Sequence, residues 1–332
     1  MKAIVTGANG FVGSAIVRQL LDSGHEVRAL VREKSNRRSI EGLPIEICIG
    51  DIRDQSSLTR AMSGCQALFH VAADYRLWVP NPDEMYETNI SGSCNVMLAA
   101  AEAGIERVVY TSSVATLGLN RDGTPANEQT RATLDDMIGP YKRSKYLAEA
   151  EVRRLVDELG LPAVIVNPST PVGPRDIKPT PTGQMILQAV RGRMPAYVNT
   201  GLNLVHVDDV AKGHLLALER GAIGQRYILG GENVMLKEIL DHISAITSRR
   251  PPSVKLPHNL VLPFAWLTEQ FGRLLHKRNL LLTVDGVRMA KKRMFFSSAK
   301  AEQELGYKPR PACEALRDAA HWFQTNGYCN RG

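Results

Sequence analysis

A tyrosine and a lysine suited to proton transfer lie four residues apart, at Tyr141 and Lys145. On a helix this spacing places the two side chains next to each other on one face. A free tyrosine, with a pKa of about 10, is a poor acid or base at neutral pH, but a neighbouring ammonium group favours the phenolate and lowers that pKa. The pair therefore predicts proton transfer to or from an alcohol or carbonyl oxygen. Taken alone, the same spacing is usually only a pair of surface side chains.

A glycine-rich turn follows the first predicted strand, with the spacing G-x-x-G-x-x-G. Glycines allow a tight turn and let backbone N–H groups approach a pyrophosphate at the positive end of the next helix. The strand before the turn and the helix after it favour a dinucleotide site over an ordinary turn. The expected cofactor contacts here are Gly7, Asn9, Gly10, Phe11, Val12 and Gly13.

Charged residues follow the second and third predicted strands. Arg32, with Lys34 or Arg37 beside it, stands where a carboxylate would grip the ribose of NAD, and an arginine favours a 2′-phosphate instead. The sequence thus favours NADP(H) as the cofactor, with NAD(H) as the alternative. Arg32 could also be an ordinary surface residue that does not contact the cofactor. Asp51 and Ile52 are expected near the adenine, although Asp51 could equally cap a helix or turn.

The elements that must position these residues alternate between short apolar runs and helical patterns. Such alternation predicts an α/β fold of the Rossmann type, a doubly wound parallel sheet with a smaller C-terminal α/β substrate lobe. We expect a dinucleotide-binding domain over 1–170 and a mainly substrate-binding lobe over 171–332, with segments such as 202–220 returning to the sheet. The predicted strands are 2–6, 26–30, 45–49, 67–70, 107–111 and 163–166, and the predicted helices include 11–23, 82–103 and 139–159.

The amino-acid composition limits the cellular location and the classes of binding partner that we expect. The formal charge of +7 is dispersed over several small basic clusters, which favours a solvated basic surface and leaves an anionic ligand or lipid surface as the alternative. Nothing resembles a nucleic-acid-binding motif. Five cysteines without C-x-x-C pairing predict reduced thiols in a cytoplasmic protein and no metal site. We expect no integral membrane segment, although peripheral association stays open.

Several motifs together resemble the extended short-chain dehydrogenase/reductases, that is, the NAD-dependent epimerase/dehydratase family. Besides the glycine turn and the Tyr141 and Lys145 pair, they include Thr111-Ser112-Ser113 about 28 residues upstream, Val205-His206-Val207-Asp208, and Leu305-Gly306-Tyr307 near the end. The resemblance implies that Tyr141 is the acid or base, assisted by Lys145.

The same resemblance assigns further roles and a quaternary structure. Ser113 would bind the substrate oxygen, because it stands five residues before Gly118 as in the family pattern, and Asn89 would support the helix and a water relay. A homodimer through the helices over 82–103 and 139–159 is expected. The resemblance also places these residues against the cofactor: Val71, Ala72, Ala73, Tyr141, Lys145 and Pro168.

Within the family, the sequence is closest to a hopanoid-associated, dihydroflavonol-4-reductase-like group, and two enzymatic functions stay open for it. Leu202 replaces the arginine that grips a diphosphate in family epimerases, and Asn167 replaces another arginine. With Arg32, these departures favour an NADPH-dependent reductase of ketones or aldehydes, or the reverse dehydrogenase, acting on a small and fairly apolar molecule. A nucleotide-sugar epimerase or dehydratase using NAD is the alternative, with Asn167 as a phosphate partner, and a binding module without chemistry is a third.

The sequence gives the weakest indications for the residues that contact the substrate. Trp78, Ser113, Thr170 and Met185 are the candidates nearest the predicted site. Apolar residues such as these line many small-molecule pockets, although for each one ordinary core packing is the more common role. Basic residues of the second lobe could instead meet an acidic group. Further candidates for an apolar wall are Ile186, Phe264, Trp266, Leu267 and Phe271.

Overall fold

In the computed structural model, which describes residues 1–275, 280 and 282–329, seven parallel strands form the central sheet. Their order is β10-β6-β5-β4-β1-β2-β3. The chain therefore reverses direction across the sheet between β1 and β4. In open α/β sheets ligands bind at such a switch point, outside the carboxyl ends of the strands.

The strands and helices have the following bounds. The strands are β1 (Lys2–Thr6), β2 (Glu26–Val31), β3 (Glu46–Ile49), β4 (Ala67–His70), β5 (Arg107–Thr111), β6 (Ala163–Pro168), β7 (Thr170–Val172), β8 (Ala196–Val198), β9 (Gly201–His206), β10 (Arg226–Leu229), β11 (Glu232–Met235) and β12 (Val254–Leu256). The helices are α1 (Phe11–Asp22), α2 (Gln55–Met62), α3 (Asp83–Tyr86), α4 (Gly92–Glu102), α5 (Gly139–Leu159), α6 (Pro181–Val190), α7 (Val207–Arg220), α8 (Leu236–Thr247), α9 (His258–Leu274), α10 (Val284–Ala290), α11 (Ala299–Leu305) and α12 (Ala312–Thr325).

Both faces of the central sheet are covered by helices. Val5 on β1 belongs to an apolar cluster with α1 and α7, whereas its neighbour Ile4 belongs to a cluster with α2, α4 and α5. Successive strand residues point to opposite faces, so a strand buried on both faces must be apolar at nearly every position. The predicted fold class is confirmed.

The predicted helix over 82–103 is interrupted. After α3, a single π-helical turn spans Glu87–Ser91 before α4 begins. Such turns occur frequently at functional sites. An apolar pattern indicates a helix but does not show which backbone hydrogen bonds it forms, so the sequence did not reveal this turn.

A smaller α/β layer lies in the C-terminal part of the chain. It contains the sheet β11-β9-β7, the pair β12-β8, and an apolar core formed largely by α6, α8 and α12. β10 and α7 instead join the central sheet and its covering layer. In the described part of the chain, no helix combines the length and apolar character required to span a membrane.

Candidate active site

The glycine turn after β1 is held by close backbone approaches. Gly7 has a φ of +67°, and a Cβ there would lie 2.7 Å from the backbone nitrogen of Ala72. A Cβ on Gly13 would lie 2.1 Å from the carbonyl oxygen of Gly7. α1 begins at Phe11, and its N-cap, Gly10, supplies no side-chain hydrogen bond. The first N–H groups of α1 thus face the switch point without a side-chain cap, which fits a pyrophosphate.

The rest of the turn is braced from the loop that follows β2. The Asn9 side chain donates to the carbonyl of Asn36 at 2.8 Å, and the Ser39 hydroxyl donates to the carbonyl of Asn9 at 2.8 Å. Phe11 and Val12 are partly buried against the adjoining core. These contacts fix the turn relative to the segment that carries the basic residues.

The ends of β2 and β3 hold charged side chains of opposite sign. Arg32 follows the last residue of β2 and is exposed, and its guanidinium has no hydrogen bond or ion pair within the described residues. Asp51 forms an ion pair of 2.8 Å with Arg53, whose hydrogen bonds hold the pKa of that carboxyl below its usual range. Ile52 is buried. Arg32 is thus placed to meet an anion, whereas Asp51 already has a cationic partner.

The loop after β4 is fixed from β1. The Thr6 hydroxyl accepts hydrogen bonds from the backbone nitrogens of Val71 at 3.1 Å and Ala72 at 3.2 Å. It also lies 2.7 Å from Nδ1 of His70. Burial lowers the pKa of His70 to about 3, so its imidazole is neutral at physiological pH. With Ala73 partly buried beside them, these residues line the second side of the switch point.

Ser113, Tyr141 and Lys145 meet at the end of β5 and the start of α5. Burial raises the pKa of Tyr141, while a side-chain hydrogen bond with Ser113 opposes that rise. Lys145 donates from Nζ to the carbonyl of Thr111 at 2.9 Å, and burial lowers its pKa to about 8. The expectation that Tyr141 has a lowered pKa is therefore wrong for this arrangement, because desolvation of the phenolate outweighs the favourable contacts.

Asn89 lies within the π-helical turn and is buried. Its side chain accepts from the backbone nitrogen of Asp74 at 2.7 Å and donates to the carbonyl of Asp74 at 2.9 Å. It also donates to the hydroxyl of Ser144 at 2.9 Å. Asn89 therefore ties the loop after β4 to the residue that precedes Lys145.

A buried polar network behind Ser113, Tyr141 and Lys145 was not predicted from the sequence. The carboxylate of Glu149 accepts hydrogen bonds from Ser112, from Thr116 at 2.9 Å and from Asn167 at 2.9 Å. It also pairs with Arg226 at 3.3 Å. The available signal was an acidic residue four positions after the lysine on the same face of a helix. The geometry also separates the two serines, since Ser112 points into this network.

The predicted substrate residues lie at different depths. Trp78 is nearly fully buried, whereas Thr170 on β7 and Met185 on α6 are partly buried. Met185 packs against the core of the C-terminal layer. Pro168 is buried at the end of β6. Their contacts with a ligand stay predictions.

The proposed apolar wall on α9 faces outward. Phe264, Trp266, Leu267 and Phe271 are all exposed, and only Ile186 of that group is buried in the core. These four side chains therefore do not line an enclosed pocket. Periodicity alone cannot separate a wall from a free surface, because both need apolar residues on one helix face.

Comparison with known proteins agrees with this geometry. Residues 3–230 match the NAD dependent epimerase/dehydratase family. A relative named "Putative dihydroflavonol 4-reductase", from Synechocystis sp., is 49% identical, with 98% of this chain and 95% of the relative covered. Sterol demethylase protein B of Methylococcus capsulatus is 33% identical, with 98% of this chain and 99% of the relative covered.

A solved structure extends the agreement to the fold. The crystal structure of gox2253 is 56% identical and superimposes with a TM-score of 0.88, covering 98% of each chain. Both the likeness in sequence and the likeness in fold run through nearly the whole chain, including the C-terminal layer. The chain belongs to the NAD dependent epimerase/dehydratase family and is an NAD(P)-dependent enzyme of the extended short-chain dehydrogenase/reductase type.

Proposed function

We propose that this protein is an NADP(H)-dependent oxidoreductase that reduces a ketone or aldehyde, or oxidises the corresponding alcohol, on a fairly apolar substrate. The observation that carries the proposal is the position of Ser113 beside Tyr141, with Lys145 one turn further along the same helix. The name of the Synechocystis relative, a dihydroflavonol 4-reductase, agrees with such a reaction.

The proton chemistry follows from the positions of these side chains. When bound, the nicotinamide cofactor supplies or accepts a hydride at C4 of its ring. Ser113 and Tyr141 hold the substrate oxygen by hydrogen bonds, and Tyr141 delivers a proton to it as a general acid. Because burial raises the pKa of Tyr141, the phenol keeps its proton until an alkoxide develops nearby. The buried ammonium of Lys145 then stabilises the phenolate that is left.

The alternative function is a hopanoid-associated nucleotide-sugar epimerase or dehydratase using NAD, and the name of the family supports it. That function requires side chains that hold a diphosphate. Asn167, the candidate for this task, is fully buried and donates to Glu149 and to the carbonyl of Ser113. Leu202 lies on β9 and packs into the C-terminal core. These placements favour the reductase.

Cofactor titration tests the proposal. Calorimetry should show that NADPH binds more tightly than NADH, and Arg32→Ala should weaken NADPH about ten- to a hundredfold while leaving NADH unchanged, since a hydrogen bond to a charged group is lost. Arg60→Ala, another exposed arginine at the end of α2, is the matched control. Tightly bound NAD in the purified protein, identified by mass spectrometry, together with turnover of nucleotide sugars, would support the epimerase instead.

A further inference from the structure

Large apolar side chains are exposed mainly in one short part of this protein. Of the fifteen that are exposed among the described residues, eight lie between positions 254 and 275. The others are scattered singly, as is normal for a protein surface. A contiguous group of this kind indicates an interaction site.

The exposed group is organised by α9. Leu260, Phe264, Leu267 and Phe271 follow one another at intervals of four, three and four residues, and they are between 44% and 65% exposed. This spacing places them on one face of the helix. α9 also packs against α10, and its residue Ala265 is fully buried. α9 therefore presents its apolar face to the outside.

The same segment carries the excess positive charge of the chain. Residues 249–293 contain ten Lys and Arg against two Asp and Glu, a formal charge of +8, whereas the whole chain carries +7. Several of these cations lie beside α9. Lys291 donates to the side chain of Asn259 at 3.0 Å, and Lys255 is exposed on β12, directly before α9. Among the described residues of this segment, the exposed basic side chains are Arg249, Arg250, Lys255, Arg288, Lys291, Lys292 and Arg293.

We propose that the exposed apolar face of α9, with the basic residues around it, docks this protein on the surface of an anionic lipid bilayer. A helix of this type lies in the plane of the interface, with its aromatic and leucine side chains below the headgroups and its cations among them. A second copy of the chain fits the surface less well, because a twofold contact would bring the exposed basic residues of one copy against the same residues of the other. The charge thus selects an anionic partner.

The docked helix is linked to the catalytic helix through α10. Asp285 of α10 lies 2.9 Å, through Oδ2, from the position that a Cβ on Gly139 would take, and α5 begins at Gly139, two residues before Tyr141. The charge of Lys292 also adds to the burial that lowers the pKa of Lys142 to about 8. α10 therefore connects the docked helix α9 to the start of the catalytic helix. If the proposed reductase function holds, on which this step rests, the substrate class is a ketone or alcohol dissolved in the membrane.

Binding to vesicles tests the docking without any need for catalysis. The full chain should sediment with vesicles of phosphatidylcholine and phosphatidylglycerol, far less with phosphatidylcholine alone, and less as salt is raised. Phe264→Ser and Phe271→Ser should each weaken binding about tenfold, since each removes a buried aromatic ring from the lipid. Ile223→Ser, which replaces an equally exposed apolar residue far along the sequence from this patch, should bind like the wild type.

A local probe completes the test. Trp266 is exposed on α9, so its fluorescence should shift to the blue on addition of anionic vesicles, and Trp266→Phe should abolish the shift while vesicle binding persists. The proposal would be overturned if the wild type did not bind anionic vesicles, or if the Phe264→Ser and Phe271→Ser variants bound them as tightly as the wild type. So would a dimer in solution that either variant dissociates. Vesicle binding by a protein that reduces no ketone would leave docking intact and refute only the reductase function.

Discussion

Replacing Glu149 by glutamine should disturb both the stability of the protein and its catalytic pH profile. The carboxylate is almost fully buried and serves three hydrogen-bond donors besides Arg226. An amide keeps one oxygen but sets an NH2 group against donors. Removing one partner of a buried ion pair costs about 3–5 kcal/mol. Because Arg226 is partly exposed, water relieves part of that cost, and we expect a loss of about 2–4 kcal/mol in the free energy of unfolding.

The catalytic effect of the same change follows from the charge that it removes. Glu149 raises the pKa of Lys145, against the burial that lowers it to about 8. In Glu149→Gln the ammonium should therefore lose its proton at a lower pH, and the alkaline decline of kcat should move to lower pH. Urea unfolding followed by circular dichroism measures the first effect, and kcat against pH measures the second.

A variant on the same helix provides the control for Glu149→Gln. Glu151 is partly exposed and pairs with Arg154 on the surface of α5, so Glu151→Gln should change neither the unfolding midpoint nor the pH profile. The reasoning would be refuted if Glu149→Gln unfolded like the wild type and kept its alkaline limb. A loss of stability with an unmoved pH profile would limit Glu149 to a structural role.

Three further changes probe the site. Tyr141→Phe should lower turnover by about 10²–10⁴, as expected for loss of a general acid, with NADPH affinity unchanged by calorimetry. A loss of NADPH affinity in the same variant would contradict that role. Gly13→Ala should abolish NADPH binding, because its Cβ would lie 2.1 Å from the oxygen of Gly7. The Cβ in Gly10→Ala would lie 3.2 Å from the same oxygen, so this variant should lower the melting temperature far less than Gly13→Ala. Ketone reduction should decline as pH rises through about 8, where Lys145 loses its proton, and Lys145→Arg should move the decline in kcat to higher pH.

The central sheet could be predicted from the sequence because its signals are local. β1, β4 and β5 have the predicted bounds, since each is an apolar run bounded by residues that end a strand. The other predicted strands differ by only one or two residues at an end, whereas β10, the seventh strand of the sheet, was not predicted. The π-helical turn around Asn89 escaped prediction, because an apolar pattern indicates a helix without showing which backbone hydrogen bonds it forms.

The candidate catalytic residues could be selected from the sequence, but their environment could not be predicted. The spacing of Tyr141 and Lys145 indicated a site only together with Ser113 and the glycine turn, and the pKa of Tyr141 depends on how much water the surrounding elements exclude. The partners of Glu149 come from β6, β10 and the turn after β5. No window of the sequence contains them together, so only the folded chain shows that the carboxylate is buried.

The apolar stripe of α9 makes the same point from the opposite side. Its spacing is that of an amphipathic helix, but the spacing does not tell what covers the apolar face, and the prediction that these residues form a substrate wall did not foresee their exposure. In α12 a comparable pattern is buried, with Leu316, Ala319 and Phe323 in the C-terminal core, whereas in α9 Phe264 and Phe271 are exposed. The sequence difference lies in the charge of the segment that contains α9, since 249–293 has ten basic and two acidic residues. A stripe flanked by so many cations is unfavourable to bury inside a protein, because each charge must keep its water or find an anion, and a lipid surface satisfies both needs at once.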